Sequence, residues 1–182
     1  IDGYVEKALQ RFKHSKPNKP QDSPYPYTEP QYGAKVQYTS EPDTSRELDA
    51  KETKLLQEII GTFLFYARAV DITMLKALGT LAAAQAEGTE ETLKACTQFL
   101  NYAASHPNAY IRYKKSDMIL HDHSDASHLS ESKSRSCVGG FFWLNGKDDP
   151  NPEAPLPELN GAIHVVAQIL KMVTASAAES ET

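Results

Sequence analysis

Apolar positions keep a helical period over most of the first hundred residues and then change to an alternating one. In "YVEKALQRF", Tyr4, Val5, Ala8, Leu9 and Phe12 fall on one helical stripe. The "KHSKPNKP" that follows is rich in cations, and its prolines end the helix. Six prolines stand between Pro17 and Pro42 with almost no periodicity. That stretch reads as an extended connector with room for one short strand at "AKVQY".

Helical pattern returns in "LDAKETKLLQEIIGTFLFYARAV". Leu55, Leu56, Ile59, Ile60, Phe63 and Leu64 recur there at helical spacing, with Asp49 ahead of them as a candidate cap. Gly61 inside this segment costs about 1 kcal/mol against Ala, so its presence predicts the close approach of another helix. Asp71 is placed to cap a second helix carrying Met74, Leu75, Leu78 and Leu81, stopped near Gly88. Thr89 opens a third, with Leu93, Cys96, Phe99, Leu100 and Ala103, stopped by "SHPN". Three consecutive helices with short joints predict a compact bundle.

After Asn108 the period changes. "AYIRY", "DMILHDHSD" and "SCVGGFFWL" read as strands, the last two joined by the polar turn "ASHLSESKSR". A proline- and acid-rich loop then leads to a further apolar run, "AIHVVAQIL". The expected arrangement is an antiparallel hairpin pairing residues 117–125 with 135–144, and a third strand at 162–170. A helical part and a β part therefore meet near residue 108.

Composition narrows the class. A length of 182 residues suits one domain or parts of two, and an apolar fraction of 40% suits a globular core. No apolar run is long enough to predict a membrane-spanning helix. The N-terminus lacks a basic and then apolar leader, and a chain that starts on Ile in helical pattern reads as a piece of something longer. Cys96 and Cys137 alone make neither a disulfide scaffold nor a thiolate zinc site, so two reduced thiols in an intracellular protein are expected. A formal charge of -5 argues against a freestanding nucleic-acid binder.

The candidate chemistry concentrates in "ILHDHSDASHLSES". On a strand, His121, His123 and Asp125 share one face, and Asp122 and Ser124 the other. A His-x-His pair suits zinc, but zinc wants three or four ligands and no partner cluster accompanies it. Asp125 ends the expected strand; there it either starts the turn, as Asp favours, or faces a cleft. Asp122 would bring an unpaired charge into a core strand. In "SAAESE", Ser176 and Glu179 form a capping box, which leaves Glu181 for other work.

Lys7, Arg11, Lys13, Lys16 and Lys19 make a small basic cluster. It either tracks phosphates or forms a solvated helix face and linker. Phe141, Phe142 and Trp143 offer stacking surface or core, and Arg68 and Asp71 a pair or a cap.

The order strand, "SDAS", turn, "SRSCVGGFFWLNG", strand and "TASAAESE" resembles the start of the ribonuclease H domain of copia-type retrotransposon polyproteins. Upstream, "LLQEIIGTFLFYARAVDITMLKALG" is similar to the segment after the polymerase palm, and "TLKACTQFLNYAASHPNAYIRY" to the link into ribonuclease H. The resemblance implies an α+β fold, with a small thumb- or connection-like helical bundle followed by a truncated ribonuclease H-like mixed β-sheet. It divides the chain into residues 1–47, a helix and connector from the end of reverse transcriptase; 48–108, the bundle; and 109–182, the first half of ribonuclease H.

It further implies that Asp125 and Glu181 are catalytic and hold Mg²⁺, with their carboxylates one metal-bridging distance apart at the end of the sheet. Two-metal hydrolysis of a phosphodiester needs several such carboxylates, and Mg²⁺ prefers oxygen to imidazole. The implied partner is an RNA–DNA hybrid or template-primer duplex, to which Lys7, Arg11, Lys13 and Lys16 would contribute. The implied parent activity is RNA-directed DNA synthesis with Mg²⁺-dependent cleavage of RNA in hybrids. The polymerase's Tyr-x-Asp-Asp and the downstream nuclease carboxylates are not in the 182 residues, so the chain alone is expected to be inactive. The alternative from another class is a domesticated, non-catalytic helical module that binds a partner protein.

Overall fold

A computed structural model describes residues 2–27, 43–131, 135–147, 151 and 159–170. The chain divides into two units, Ile1–Ala109 and Tyr110–Thr182. The first is helical, with α1 at Tyr4–Arg11, α2 at Ala50–Ala69, α3 at Leu75–Ala84 and α4 at Glu90–Ser105. The second carries β1 at Ile119–Glu131, β2 at Arg135–Asn145 and β3 at Ala162–Ile169. The architecture is α+β.

α2 and α4 start where their first free amides find a side-chain acceptor. Asp49 caps α2, its Oδ1 accepting from the amides of Lys51 and Glu52 at 2.8 Å, while Glu52 accepts from the Asp49 amide at 2.9 Å. Thr89 and Thr92 make the same reciprocal pair at α4. Asp71 opens the short turn Ile72–Met74 ahead of α3, accepting from the Thr73 amide at 3.2 Å. It is buried, at 5% exposure, and also accepts from the Thr73 hydroxyl, to which Tyr102 Oη donates at 2.7 Å. Asp71 is thus a cap rather than half of an ion pair.

Leu56, Ile59, Ile60 and Phe63 of α2, Leu78 and Leu81 of α3, and Phe99 and Leu100 of α4 form the core of the bundle. Phe63 meets Phe99 edge to face with ring centroids 5.2 Å apart. Leu55 stays exposed, and Tyr66, not foreseen as core, is buried. Gly61 departs from expectation: it faces outward, and a Cβ on it would meet nothing within 4 Å. Among the described residues no helix packs there.

α1 adds Val5, Ala8 and Leu9 to this core and ends where Lys13 turns left-handed at φ 54°. The following residues lie against α4. His14 donates to Asn101 at 2.9 Å, the Gln21 amide to Ser105 at 3.0 Å, and Gln98 to the Ser23 carbonyl at 3.2 Å. The "AKVQY" strand candidate lies outside the described residues.

In the second unit the strands form an antiparallel meander in the order β1-β2-β3. The parallel component of the expected mixed sheet does not occur among the described residues. Three further expectations change. "AYIRY" is not a strand: no ladder pairs it among the described residues, Tyr66 Oη accepts the Ala109 amide at 3.2 Å, and Asn160 clamps the next residue, Lys114, from both sides. β1 begins at Ile119 rather than Asp117, because Met118 takes a left-handed φ of 61°. It also runs six residues past Asp125, since Ala126 and Ser127 go on pairing with Val138 and Cys137. Ladder hydrogen bonds there outweigh the turn preference of a small polar segment.

Candidate functional site

Asp125 lies in the interior of β1, not at its end, and is paired with Gly139, which is paired in turn with Ala167 of β3. Strand alternation puts His121, His123 and Asp125 on one face. The Asp125 carboxylate is exposed and accepts the amide of Ala126 at 2.8 Å. A Cβ on Gly139 would meet only the Asp125 carbonyl, at 3.9 Å. The row Asp125–Gly139–Ala167 therefore keeps one flank of the carboxylate open. An open depression nearby is lined by Ser124, Asp125, Ala126 and Val138; three of these sit on the opposite pleat, so it is not shaped around the carboxylate alone.

The neighbours of Asp125 have other work. His121 Nε2 donates to the Gly146 carbonyl at 3.0 Å, and its ring stacks on Trp143 with centroids 5.6 Å apart. Such a histidine fixes the strand end and is poorly placed as a ligand. His123 and Asp122 are both exposed. Asp122 thus corrects the expectation of a buried charge: it stands in water on a strand with only one described neighbour. Trp143 is buried, as core, with Phe141 5.4 Å away. Its Nε1 and the Nδ2 of Asn145 are buried without an acceptor.

Glu181, and with it Ser176 and Glu179, lies outside the described residues, so the expected carboxylate pair has one described member. Among the described residues no three His, Cys, Asp or Glu side chains are grouped to hold a metal ion. Asp125 fits Mg²⁺ as a single oxygen ligand on a rigid strand. Mg²⁺ uses one or two protein carboxylates and keeps waters or substrate phosphates for the rest.

The basic cluster belongs to the helical unit. Lys7 and Arg11 lie one turn apart on α1, on the side away from the buried Val5, Ala8 and Leu9, and both are exposed. Arg11 bonds Glu58 at 3.1 Å and lies 5.3 Å over the Phe12 ring, so part of its charge is already matched. Lys13 and Lys16 are exposed beyond the helix end.

Cys96 is not a candidate nucleophile. Cys96 is buried in α4, and desolvation pushes its thiol up to about 12. Cys137 is half-buried in β2.

The residue that pattern reading missed is Asn160. It is buried and donates to the carbonyls of Lys114 and Leu144, both at 2.8 Å, while accepting the amides of Lys114 at 2.7 Å and Gly161 at 2.9 Å. Its only sequence signal was an Asn-Gly pair before an apolar run. Compared with known proteins, the chain matches no family model, no curated protein and no solved structure.

Proposed function

We propose that the chain is the part of a copia-type retrotransposon polyprotein that joins reverse transcriptase to its ribonuclease H, and that Asp125 is the first metal-binding carboxylate of that nuclease. The observation that carries this reading is the antiparallel meander whose first strand bears an exposed Asp beside a Gly-Gly-aromatic second strand. A helical bundle precedes it, in the order the polyprotein requires. Glu181, two residues after the capping box, supplies the second acid.

In this reading Asp125 holds one ligand oxygen in place on the sheet, and the gap over Gly139 leaves room for a phosphodiester. When bound, Mg²⁺ would lower the pKa of the attacking water and neutralise charge on the phosphate. Lys7, Arg11, Lys13 and Lys16 would follow the backbone of the duplex as non-specific phosphate contacts.

The test is cleavage of an RNA–DNA hybrid in Mg²⁺ by the chain joined to its downstream reading frame. Cleavage lost by at least a hundredfold in both Asp125→Asn and Glu181→Gln is the expected outcome, roughly what removing a transition-state ligand costs. Cleavage indifferent to both substitutions would sink the assignment. Flanking DNA gives a second check. A Tyr-x-Asp-Asp coding segment upstream supports the reading, whereas a spliced host gene with its own start codon favours the domesticated module.

A further inference from the structure

Residues 110–116, "YIRYKKS", form an irregular strip at the start of the sheet unit, and its side chains sort by direction. Ile111 turns inward against Gly161: a Cβ built on that glycine would lie 2.6 Å from Ile111 Cγ2 and 2.7 Å from the Arg112 carbonyl. Tyr110, at 74% exposure, Arg112 and Lys115 stand exposed, while Tyr113 lies along the surface with its ring edge 3.0 Å from the Cβ position of Gly161. The strip holds three cations and no acid; the next acid, Asp117, sits 3.6 Å from the Cβ position of Gly146.

Irregular backbone this exposed is usually mobile, yet here it is fixed. Asn160 bonds both the amide and the carbonyl of Lys114, and Tyr113 Oη donates to the Ala162 carbonyl at 3.0 Å. The Arg112 guanidinium lies 5.6 Å over the Tyr110 ring, which holds that pair together. A buried amide and a close-packed glycine thus keep exposed rings and cations in a set geometry.

From this geometry we infer that the strip binds single-stranded nucleic acid, with phosphates on Arg112 and Lys115 and an unpaired base stacked on Tyr110. Rings interleaved with cations suit a single strand, because the bases of a duplex are already stacked and hidden from a tyrosine. An extended strip from Tyr110 to Lys115 spans at most about 18 Å, which accommodates a few nucleotides. The site lies in the sheet unit, needs no metal, and stands independently of the nuclease reading.

The test is fluorescence anisotropy of the whole chain with a short uridine-rich RNA, in EDTA, over a range of salt concentrations. The same sequence as DNA, its RNA–DNA hybrid, and phosphatidylserine vesicles form the other arms. The substitutions below should weaken binding of both single strands and leave binding of the hybrid, which the Lys7–Lys16 cluster would carry, unchanged. Arg112→Gln with Lys115→Gln should lower the slope of log K against log salt by about 1.4, at about 0.7 per phosphate contact on a single strand. Tyr110→Ala should weaken binding about tenfold with the slope unchanged, as loss of one base stack does. These side chains are exposed, so circular dichroism should confirm that the variants stay folded. Gly161→Ala should weaken binding by displacing the strip without removing a ring or a charge. Undiminished binding by the Arg112/Lys115 and Tyr110 variants overturns the inference. So does an equal loss of hybrid binding in those variants, or binding to vesicles alone through Met118 and Leu120. Because EDTA excludes cleavage, failure of the Asp125 assignment would leave this result untouched.

Discussion

Gly61 occupies an outward position of α2, with no neighbour within 4 Å of where an alanine Cβ would stand and no left-handed φ to protect. It is a place where the chain forgoes helix propensity without a packing return. Gly61→Ala is therefore expected to raise the unfolding free energy by about 1 kcal/mol. Denaturant titration should show a higher midpoint at unchanged slope, and a destabilised variant would mean that something needs the bare backbone there. Glu52 makes a second residue-scale case. Its carboxylate is drawn from 4.5 down to about 2, first by the hydrogen bonds from Arg46 and then by the amide of Asp49. The folded pKa is the lower one, so its contribution is present above about pH 4.5 and is lost as pH falls through about 2. Glu52→Gln can keep the capping hydrogen bond but removes the charge and one of the two oxygens that accept from Arg46. Its melting temperature should lie below that of the parent at neutral pH and converge with it near pH 2. The pair lies at the surface, with Arg46 exposed and Glu52 half-buried, so added salt should narrow the gap.

At the scale of elements, Asn160 does for the sheet what the caps do for the helices. Replacing it with Ala leaves the amides of Lys114 and Gly161 and two carbonyls without their partner and is expected to cost about 2 kcal/mol. Hydrogen exchange should then quicken at the Lys114 and Gly161 amides before it does in α2; unchanged protection there would show that water replaces the amide without loss. The contrast with the helices explains what the sequence could disclose. Asp49, Asp71 and Thr89 were legible as caps because capping is local, within three residues of chain. The stripes Leu56–Ile59–Ile60–Phe63 and Phe99–Leu100 were legible because burial repeats with the helical period. The strand over "AYIRY" failed because partners far along the chain hold the backbone at its two ends: Tyr66, 43 residues away, accepts the Ala109 amide, and Asn160, 46 residues away, clamps the next residue, Lys114. The extension of β1 beyond Asp125 failed for the same reason, since pairing with Val138 and Cys137 decides it. At the candidate site, the residue types and face of His121, His123 and Asp125 could be read. The stacking of His121 on Trp143 and the opening over Gly139 depend on register and could not.

Across the whole molecule the two units are unequally provided with core. Apart from Trp143 and Ala162, every fully buried apolar side chain among the described residues belongs to the helical unit. The sheet unit also carries the two buried donors without acceptors, Trp143 Nε1 and Asn145 Nδ2, each a penalty of about 1–3 kcal/mol where no water reaches it. Its described strands form an open three-stranded sheet, near the lower limit for independent stability. The helical unit, by contrast, has two reciprocal caps and an interlocked Phe63–Phe99 centre. The sheet is thus expected to unfold first and separately, as units with their own cores do. Trp143 is the only tryptophan and lies in β2, so its fluorescence reports the sheet, whereas ellipticity at the helical minimum reports α1 to α4. In a urea titration the fluorescence midpoint should come before the ellipticity midpoint, and Asn160→Ala should move the first and leave the second in place. Coincident midpoints in both proteins would mean that the units fold as one, with stability shared across the boundary at Ala109 and Tyr110.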